Sequence, residues 1–206
     1  MTSRTGRRSA LLVIDVQESF RQLPSWASIS DPDIVDHVDH LLRASRERGD
    51  LVVWILHSEP DSGTPFDPAS GHVQPIAGLQ PRPNEPVLTK YVHNAFTTTS
   101  LHLLLTRHGV GRVTVCGIRT EQCCETTARL ASDLGYEVVF VTEATATTPL
   151  PHPDLPAGTP WEQVLADPRT LPVQDVIART EYALAGRFAT IATLTDAVAG
   201  LPPRHE

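Results

Sequence analysis

Cys123 stands where a thiol could act as a nucleophile. The apolar, β-branched residues 113–116 before it predict a short buried strand. Thr120 is a good N-cap residue, and the residues after it predict a helix that Gly135 closes. Cys123 would then lie in the first helical turn, where unpaired N–H groups and the helix dipole favour a thiolate. The same N–H groups could hold an oxyanion formed by attack on a carbonyl.

Core packing is the competing interpretation of the cysteines, since cysteine is among the most often buried residue types. Helical spacing separates the adjacent pair. Cys124 lies on an apolar stripe that should face the sheet and whose other members are Ala128, Ala131 and Leu134. Cys123 is turned about 100° from that stripe. We therefore predict that Cys123 is the nucleophile and that Cys124 and Cys116 are core residues.

Two charged residues are predicted near the ends of other strands. Asp15 lies in the apolar run at residues 10–16, and Lys90 follows a short predicted strand at residues 86–89. Sites in parallel sheets form at the carboxyl ends of strands, so both should approach Cys123. Lys90 would partner the buried carboxylate and lower the pKa of the thiol below its free value of about 8.5. Asp15 could then carry a proton to a leaving group.

A structural ion pair near the sheet edge would explain Asp15 and Lys90 taken singly. The arrival of both residues and Cys123 at strand ends favours a catalytic set.

The order of predicted elements favours one α/β domain. Apolar runs predict strands at residues 10–16, 51–56, 86–89, 113–116, 137–141 and 190–193. Helices are predicted at residues 31–49, 100–108, 120–135, 173–185 and 194–199. Residues 57–85 predict a long loop. Residues 145–173 hold seven of the 18 prolines and predict an irregular excursion with one helical turn near residues 161–166. The alternation predicts a parallel sheet covered on both faces.

Composition narrows the class of protein. The 206 residues are 40% hydrophobic, which predicts a single domain over residues 1–206, with a flexible start at residues 1–8. A net charge of −7 without a basic stripe argues against nucleic-acid binding. We find no apolar run long enough to span a membrane, no signal peptide and no disulfide framework, so we expect a cytoplasmic protein.

Three ordered motifs resemble those of the isochorismatase-like cysteine hydrolases. They are Leu11-Leu-Val-Ile-Asp-Val-Gln17; Lys90 with His93-Asn-Ala-Phe96; and Gly117-Ile-Arg-Thr-Glu-Gln-Cys123 with Thr127-Ala-Arg129 and Leu134-Gly-Tyr136. The resemblance is close over residues 9–145 and looser over residues 176–198.

The resemblance implies a Rossmann-like three-layer α/β/α sandwich with a mostly parallel sheet, and a triad of Asp15, Lys90 and Cys123. It also implies a cis peptide bond between Ile118 and Arg119, and an oxyanion hole made by the backbone N–H groups of Arg119 and Cys123. The implied reaction is hydrolysis of a C–N bond in a small amide, lactam or related compound through a thioester, without a cofactor. Asp15 would be the general base and acid, and Lys90 would support the thiolate and the oxyanion.

Two differences from known members of the superfamily reduce the number of activities that we expect. Nicotinamidases of this superfamily bind a metal through an Asp-x-His group and a further His after the second strand. Here that strand is followed by His57-Ser-Glu-Pro-Asp61, which lacks the Asp-x-His spacing, so we predict no bound metal and activity other than that of a nicotinamidase. Isochorismatases that cleave a vinyl ether lack the nucleophilic cysteine, so Cys123 argues against that reaction.

Alternatives stay open for the pocket and the function. The substrate pocket could be lined by Phe20, Trp26, His57, Tyr91 and Phe96, although core packing explains aromatic residues equally well. The competing functions are an isochorismatase-type vinyl ether hydrolase and a redox-responsive protein that uses the adjacent Cys123 and Cys124. Asp15 and Lys90 favour the amidohydrolase, because a redox sensor does not need them.

The proline-rich segment at residues 145–173 also predicts a homo-oligomer, most simply a dimer. A loop this long is unusual, and its apolar residues should lie away from the core: Leu150, Leu155, Trp161, Val164 and Leu165. A neighbouring subunit related by a two-fold axis would cover them. The competing view is a monomer in which the segment folds back as a lid.

Overall fold

A computed structural model describes residues 8–200. The predicted flexible start at residues 1–8 lies outside this range, except for Arg8, which begins the first strand. Six strands within the range form one parallel sheet: β1 (Arg8–Ile14), β2 (Leu51–His57), β3 (Val87–Lys90), β4 (Val110–Ile118), β5 (Glu137–Ala146) and β6 (Thr190–Ala192). Their order is β3-β2-β1-β4-β5-β6. This confirms the predicted Rossmann-like α/β class, and the strand order reverses between β1 and β4.

Seven α-helices connect or follow these strands in the described range: α1 (Glu18–Arg21), α2 (Ile34–Arg48), α3 (Leu101–Arg107), α4 (Glu125–Asp133), α5 (Trp161–Ala166), α6 (Val173–Leu184) and α7 (Leu194–Val198). Shorter turns of 3₁₀ helix lie at Pro24–Ser28 and Pro68–Ser70. None of the helices in residues 8–200 has the length and apolar character that crossing a lipid bilayer requires.

The helices cover both faces of the sheet. The core on one face combines Leu12 of β1 with residues of α3, α4 and α6, among them Leu101 and Ala128. The core on the other face combines Leu11 of β1 with residues of α2 and α7, among them Leu41. Successive residues of β1 therefore face opposite layers of helices. This explains why the sequence of this central strand is a continuous apolar run.

Asp15 follows β1 rather than lying inside it. The strand ends at Ile14, and Asp15 adopts a φ of 53°. A positive φ is uncommon for residues other than glycine, although aspartate tolerates it better than most. The chain thus turns sharply at the end of the central strand, and Asp15 lies at the turn.

Gly117 continues β4 instead of ending it. The predicted strand stops at Cys116, but the observed strand reaches Ile118, with an irregular pairing to β5 between Val115 and Gly117. Gly117 has a φ of 132°, and a Cβ atom there would lie 1.9 Å from the carbonyl oxygen of Ile14. Only glycine permits this close approach of β4 to β1.

The segment after β4 differs from the predicted regular helix. A π-helical turn at Thr120–Cys124 precedes α4, so Cys123 lies in that turn and not in the first turn of an α-helix. Thr120 does not cap α4, because that helix begins at Glu125; the Thr120 hydroxyl instead donates to Thr145 Oγ1 at 2.8 Å. Gly135, with a φ of 87°, follows the end of α4 as predicted. Leu134 is 40% exposed and does not belong to the buried stripe.

The proline-rich segment packs on the rest of its own chain. An antiparallel bridge between Leu150 and Leu171 closes its base. Val164 is buried, and the partly buried Trp161 donates from Nε1 to Ser28 Oγ at 3.0 Å. The expectation that these apolar residues lie away from the core is therefore wrong for Val164, because α5 turns it inward. Leu165 stays 47% exposed.

Candidate active site

The end of the sheet brings Asp15, Lys90 and Cys123 into contact. Lys90 Nζ lies 2.7 Å from Asp15 Oδ2 and donates to Cys123 Sγ at 3.3 Å. It also donates to the carbonyl oxygen of Val92 at 3.2 Å. Asp15 and Lys90 have no exposed surface, and Cys123 is 5% exposed. The ion pair and the two hydrogen bonds together hold the lysine between the carboxylate and the thiol.

The sheet topology explains why these residues meet. Asp15 follows β1 and Cys123 follows β4, and these neighbouring strands flank the point where the strand order reverses. Lys90 is the last residue of β3 and pairs in register with His57 at the end of β2. Crevices at such a switch point are where open parallel sheets bind ligands.

Burial shifts the pKa values of the ion pair. It raises the pKa of Asp15 above its ordinary value of 3.8, although Lys90 opposes the shift. Burial alone would lower the pKa of Lys90, but Asp15 and Cys123 together hold that pKa above its ordinary value. Beyond the ion pair with Lys90, neither oxygen of Asp15 accepts a well-directed hydrogen bond from the described residues. Asp15 is therefore a buried base with room for a proton.

The pKa of the Cys123 thiol shifts in the direction opposite to the prediction. Burial, and after it the negative charge of Asp15, raise the pKa of Cys123 above its ordinary value, while Lys90 lowers it by less. The prediction that Lys90 yields a thiol of lowered pKa is therefore wrong, because the loss of hydration outweighs one nearby cation. Cys116 and Cys124 are fully buried, and burial raises their pKa values too, as expected for core residues.

A tight turn at the end of β4 carries Cys123. The peptide bond between Ile118 and Arg119 is cis. The carbonyl oxygen of Arg119 accepts hydrogen bonds from the N–H groups of Gln122 at 3.3 Å and Cys124 at 3.1 Å. The two residues expected to form the oxyanion hole, Arg119 and Cys123, thus belong to one short hydrogen-bonded turn.

Two of the five predicted pocket residues, Phe20 and His57, both pack against Phe66. The Phe66 ring centroid is 5.0 Å from that of Phe20 and 5.6 Å from that of His57. The guanidinium carbon of Arg119 lies 5.9 Å from the Phe20 centroid. The rings of Phe20, Phe66 and His57 form an aromatic arc at the end of β2, and the Arg119 guanidinium borders it.

The other three predicted pocket residues occupy different surroundings. Phe96 is buried in the same core as α3 and α4, where its ring stacks on Tyr136 with 6.2 Å between centroids. Trp26 packs against the core under α2. Tyr91 is 54% exposed. Core packing, the alternative interpretation, therefore describes Phe96 and Trp26.

Sequence reasoning did not single out Gln17 or Phe66. The buried Gln17 side chain accepts from the N–H of His57 at 2.7 Å and donates to the carbonyl oxygen of His57 at 3.0 Å, which ties β1 to the end of β2. Its position two residues after Asp15 in an otherwise apolar run was the available signal. Phe66 had no such signal, because the loop at residues 57–85 has no periodicity.

The side chains at the end of β2 do not gather into a metal site. His57 Nε2 lies 3.2 Å from Glu59 Oε1. Within residues 8–200, no group of three or more His, Cys, Asp or Glu side chains is arranged to hold a metal ion. That the protein binds no metal stays a prediction.

The fold and the site together define a hydrolase built on a three-layer α/β/α sandwich. The chain belongs to the isochorismatase family, whose domain model matches residues 9–182. Among solved structures, a protein of this family from Chromobacterium violaceum is 26% identical, with a TM-score of 0.80 over 95% of this chain and 94% of that one.

The curated relatives include proteins with named activities. A streptothricin hydrolase of Streptomyces noursei is 35% identical over 143 residues, which cover 69% of this chain and 56% of that protein. Nicotinamidase 3 of Arabidopsis thaliana is 35% identical over 153 residues, which cover 68% of this chain and 73% of that protein. The chain thus spans little more than half the length of the streptothricin hydrolase.

Proposed function

We propose that this protein is an amidohydrolase that cleaves the C–N bond of a small amide or lactam through a thioester on Cys123. The observation that carries the proposal is the ammonium of Lys90, held 2.7 Å from a buried carboxylate and 3.3 Å from a buried thiol. The relatives support the reaction class, since one is named a nicotinamidase and another a streptothricin hydrolase.

Acylation begins with transfer of the Cys123 thiol proton to the Asp15 carboxylate as the sulfur attacks the carbonyl carbon. The pKa of the thiol is raised in the free protein, so this transfer accompanies the attack and does not precede it. The carbonyl oxygen takes up the electron pair, and the N–H groups of Arg119 and Cys123 would stabilise it. The C–N bond then breaks, Asp15 gives its proton to the leaving nitrogen, and a thioester remains.

Deacylation repeats the sequence with water. Asp15 accepts a proton from the water as its oxygen attacks the thioester carbonyl. The C–S bond breaks, the carboxylic acid leaves, and the proton on Asp15 returns to the sulfur. Lys90 keeps its charge throughout, and its N–H groups stabilise the carboxylate and the sulfur in turn.

The test is a panel of amides and lactams assayed with the wild type, Cys123→Ala and the matched control Cys124→Ala. We expect Cys123→Ala to lose at least ~10³-fold in rate and Cys124→Ala to keep most of its activity. Mass spectrometry of the trapped protein should place the acyl group on Cys123.

An acyl group found on Cys124 or Cys116 would overturn the assignment. A Cys123→Ser variant that keeps nearly full activity would favour the vinyl ether hydrolase instead.

A homo-oligomer and a cytoplasmic location are further parts of this proposal. The segment before α6 and α6 itself carry exposed apolar side chains that a second subunit could cover: Leu165 (47% exposed), Leu171 (40%) and Tyr182 (89%).

A further inference from the structure

Arg119 is a partly buried cation without a carboxylate partner. The other three partly buried arginines in residues 8–200 each pair with a glutamate: Arg46 with Glu85, Arg112 with Glu137 and Arg129 with Glu125. For Arg119, the described chain supplies one hydrogen bond, from Nη2 to Ser25 Oγ, at the long distance of 3.5 Å. Most of the five N–H donors of this guanidinium therefore have no acceptor from the described protein.

The nearby acidic residue does not fill this role. Glu121 is two residues away in sequence and its charge acts on Arg119, but the two side chains form no ion pair among the described residues. Glu121 Oε2 accepts a hydrogen bond from Thr147 Oγ1 at 2.6 Å, and its Oε1 is buried without a described hydrogen-bond partner. Burial lowers the pKa of Arg119 from its ordinary value, yet an arginine stays charged at neutral pH. No guanidinium nitrogen of Arg119 is among the fully buried atoms that lack a partner, so its unused donors are open to a partner from outside the described chain.

The position of Arg119 indicates what that partner is. Arg119 directly follows β4 and begins the hydrogen-bonded turn that carries Cys123. Its guanidinium also borders the aromatic arc formed by Phe20, Phe66 and His57. A molecule bound for attack by Cys123 would reach both this cation and the flat faces of the rings.

We propose that the Arg119 side chain binds a carboxylate of the substrate, so that the substrate is a small amide that also carries a carboxylate. A planar guanidinium matches a carboxylate through two parallel hydrogen bonds. This inference rests on the proposed function, because it assigns the substrate class of the same site.

The experiment compares two series of amides, matched except that one carries a carboxylate and the other a neutral nitro group of similar shape. The proteins are the wild type, Arg119→Met, Arg119→Lys and the control Arg43→Met, which removes the same charge from an exposed residue of α2. Substitution at Arg119 keeps the backbone N–H of the proposed oxyanion hole.

We expect the wild type to prefer the carboxylate series. Arg119→Met should lose at least ~10-fold of that preference, through KM more than through kcat, as expected for the loss of a charged hydrogen bond. Arg119→Lys should recover part of it, and Arg43→Met should keep it all. Calorimetry of the carboxylate-bearing amides with Cys123→Ala gives a second measurement, of binding alone, that needs no turnover.

An equal loss on both series in Arg119→Met would show a structural role and overturn the inference. So would a wild type that treats both series alike, or carboxylate-bearing amides that bind Cys123→Ala no better than their nitro analogues. Acylation of Cys123 by the neutral series in those cases would leave the proposed function standing. Binding of the carboxylate-bearing amides without acylation of Cys123 by either series would overturn the proposed function alone.

Discussion

Replacement of Gly117 by alanine tests how the fold sets the geometry of the site. Gly117 lies in β4, one residue before the cis peptide bond and six before Cys123. A Cβ atom there would meet the backbone of Ile14, which directly precedes Asp15. Because the contact is with backbone, no side chain can rotate away to relieve it.

The structure sets the size of the effect. The distance from the new Cβ to the Ile14 oxygen would have to grow from 1.9 Å to at least 3.0 Å, the closest approach that real Cβ atoms show. Forcing alanine to a φ of 132° costs about 1–3 kcal/mol, and overpacking adds about 1–3 kcal/mol. The sum of about 2–6 kcal/mol is a large part of a typical unfolding free energy of about 5–15 kcal/mol.

Activity should fall as well. Separating β1 from β4 moves Asp15 away from Cys123, and a displacement of about 1 Å can cost ~10²-fold in rate. The assays are urea unfolding and kcat/KM on any substrate found in the amide panel.

Gly49→Ala is the matched control, since Gly49 also has a positive φ, 76°, but nothing lies within 4 Å of its Cβ position. We expect it to lose only about 1 kcal/mol and to keep its activity. A Gly117→Ala protein that unfolds at the same urea concentration as Gly49→Ala and is equally active would refute the reasoning.

Two further predictions concern pH and assembly. Burial raises the pKa of Asp15 above 3.8, and the proposed reaction needs the unprotonated carboxylate. We therefore expect kcat/KM to fall on acidification with an apparent pKa above 3.8. An apparent pKa at or below 3.8 for this fall would contradict the role of Asp15. If subunits cover the apolar residues of the proline-rich segment and α6, light scattering should give a multiple of 22.5 kDa; a mass of 22.5 kDa across a wide concentration range would show a monomer.

Much of the fold follows from local signals. The predicted strand at residues 51–56 is observed as Leu51–His57, and the predicted helix at residues 173–185 as Val173–Leu184. Strand and helix periodicity depend on neighbouring residues, so a sequence displays them directly. The rule that sites form at carboxyl ends of parallel strands then selected Asp15, Lys90 and Cys123 before any distance was known.

Other properties of the site depend on residues that are distant in sequence, and only the tertiary structure determines them. Burial, not the cation of Lys90, determines the direction in which the pKa of Cys123 shifts, and burial is a property of the folded chain. The need for glycine at position 117 comes from the backbone of β1, about a hundred residues earlier. The missing partner of Arg119 becomes visible only when all its neighbours are known. Sequence pattern thus determined which groups reach the end of the sheet, and three-dimensional packing determined their distances, the direction of their pKa shifts and their free hydrogen-bonding capacity.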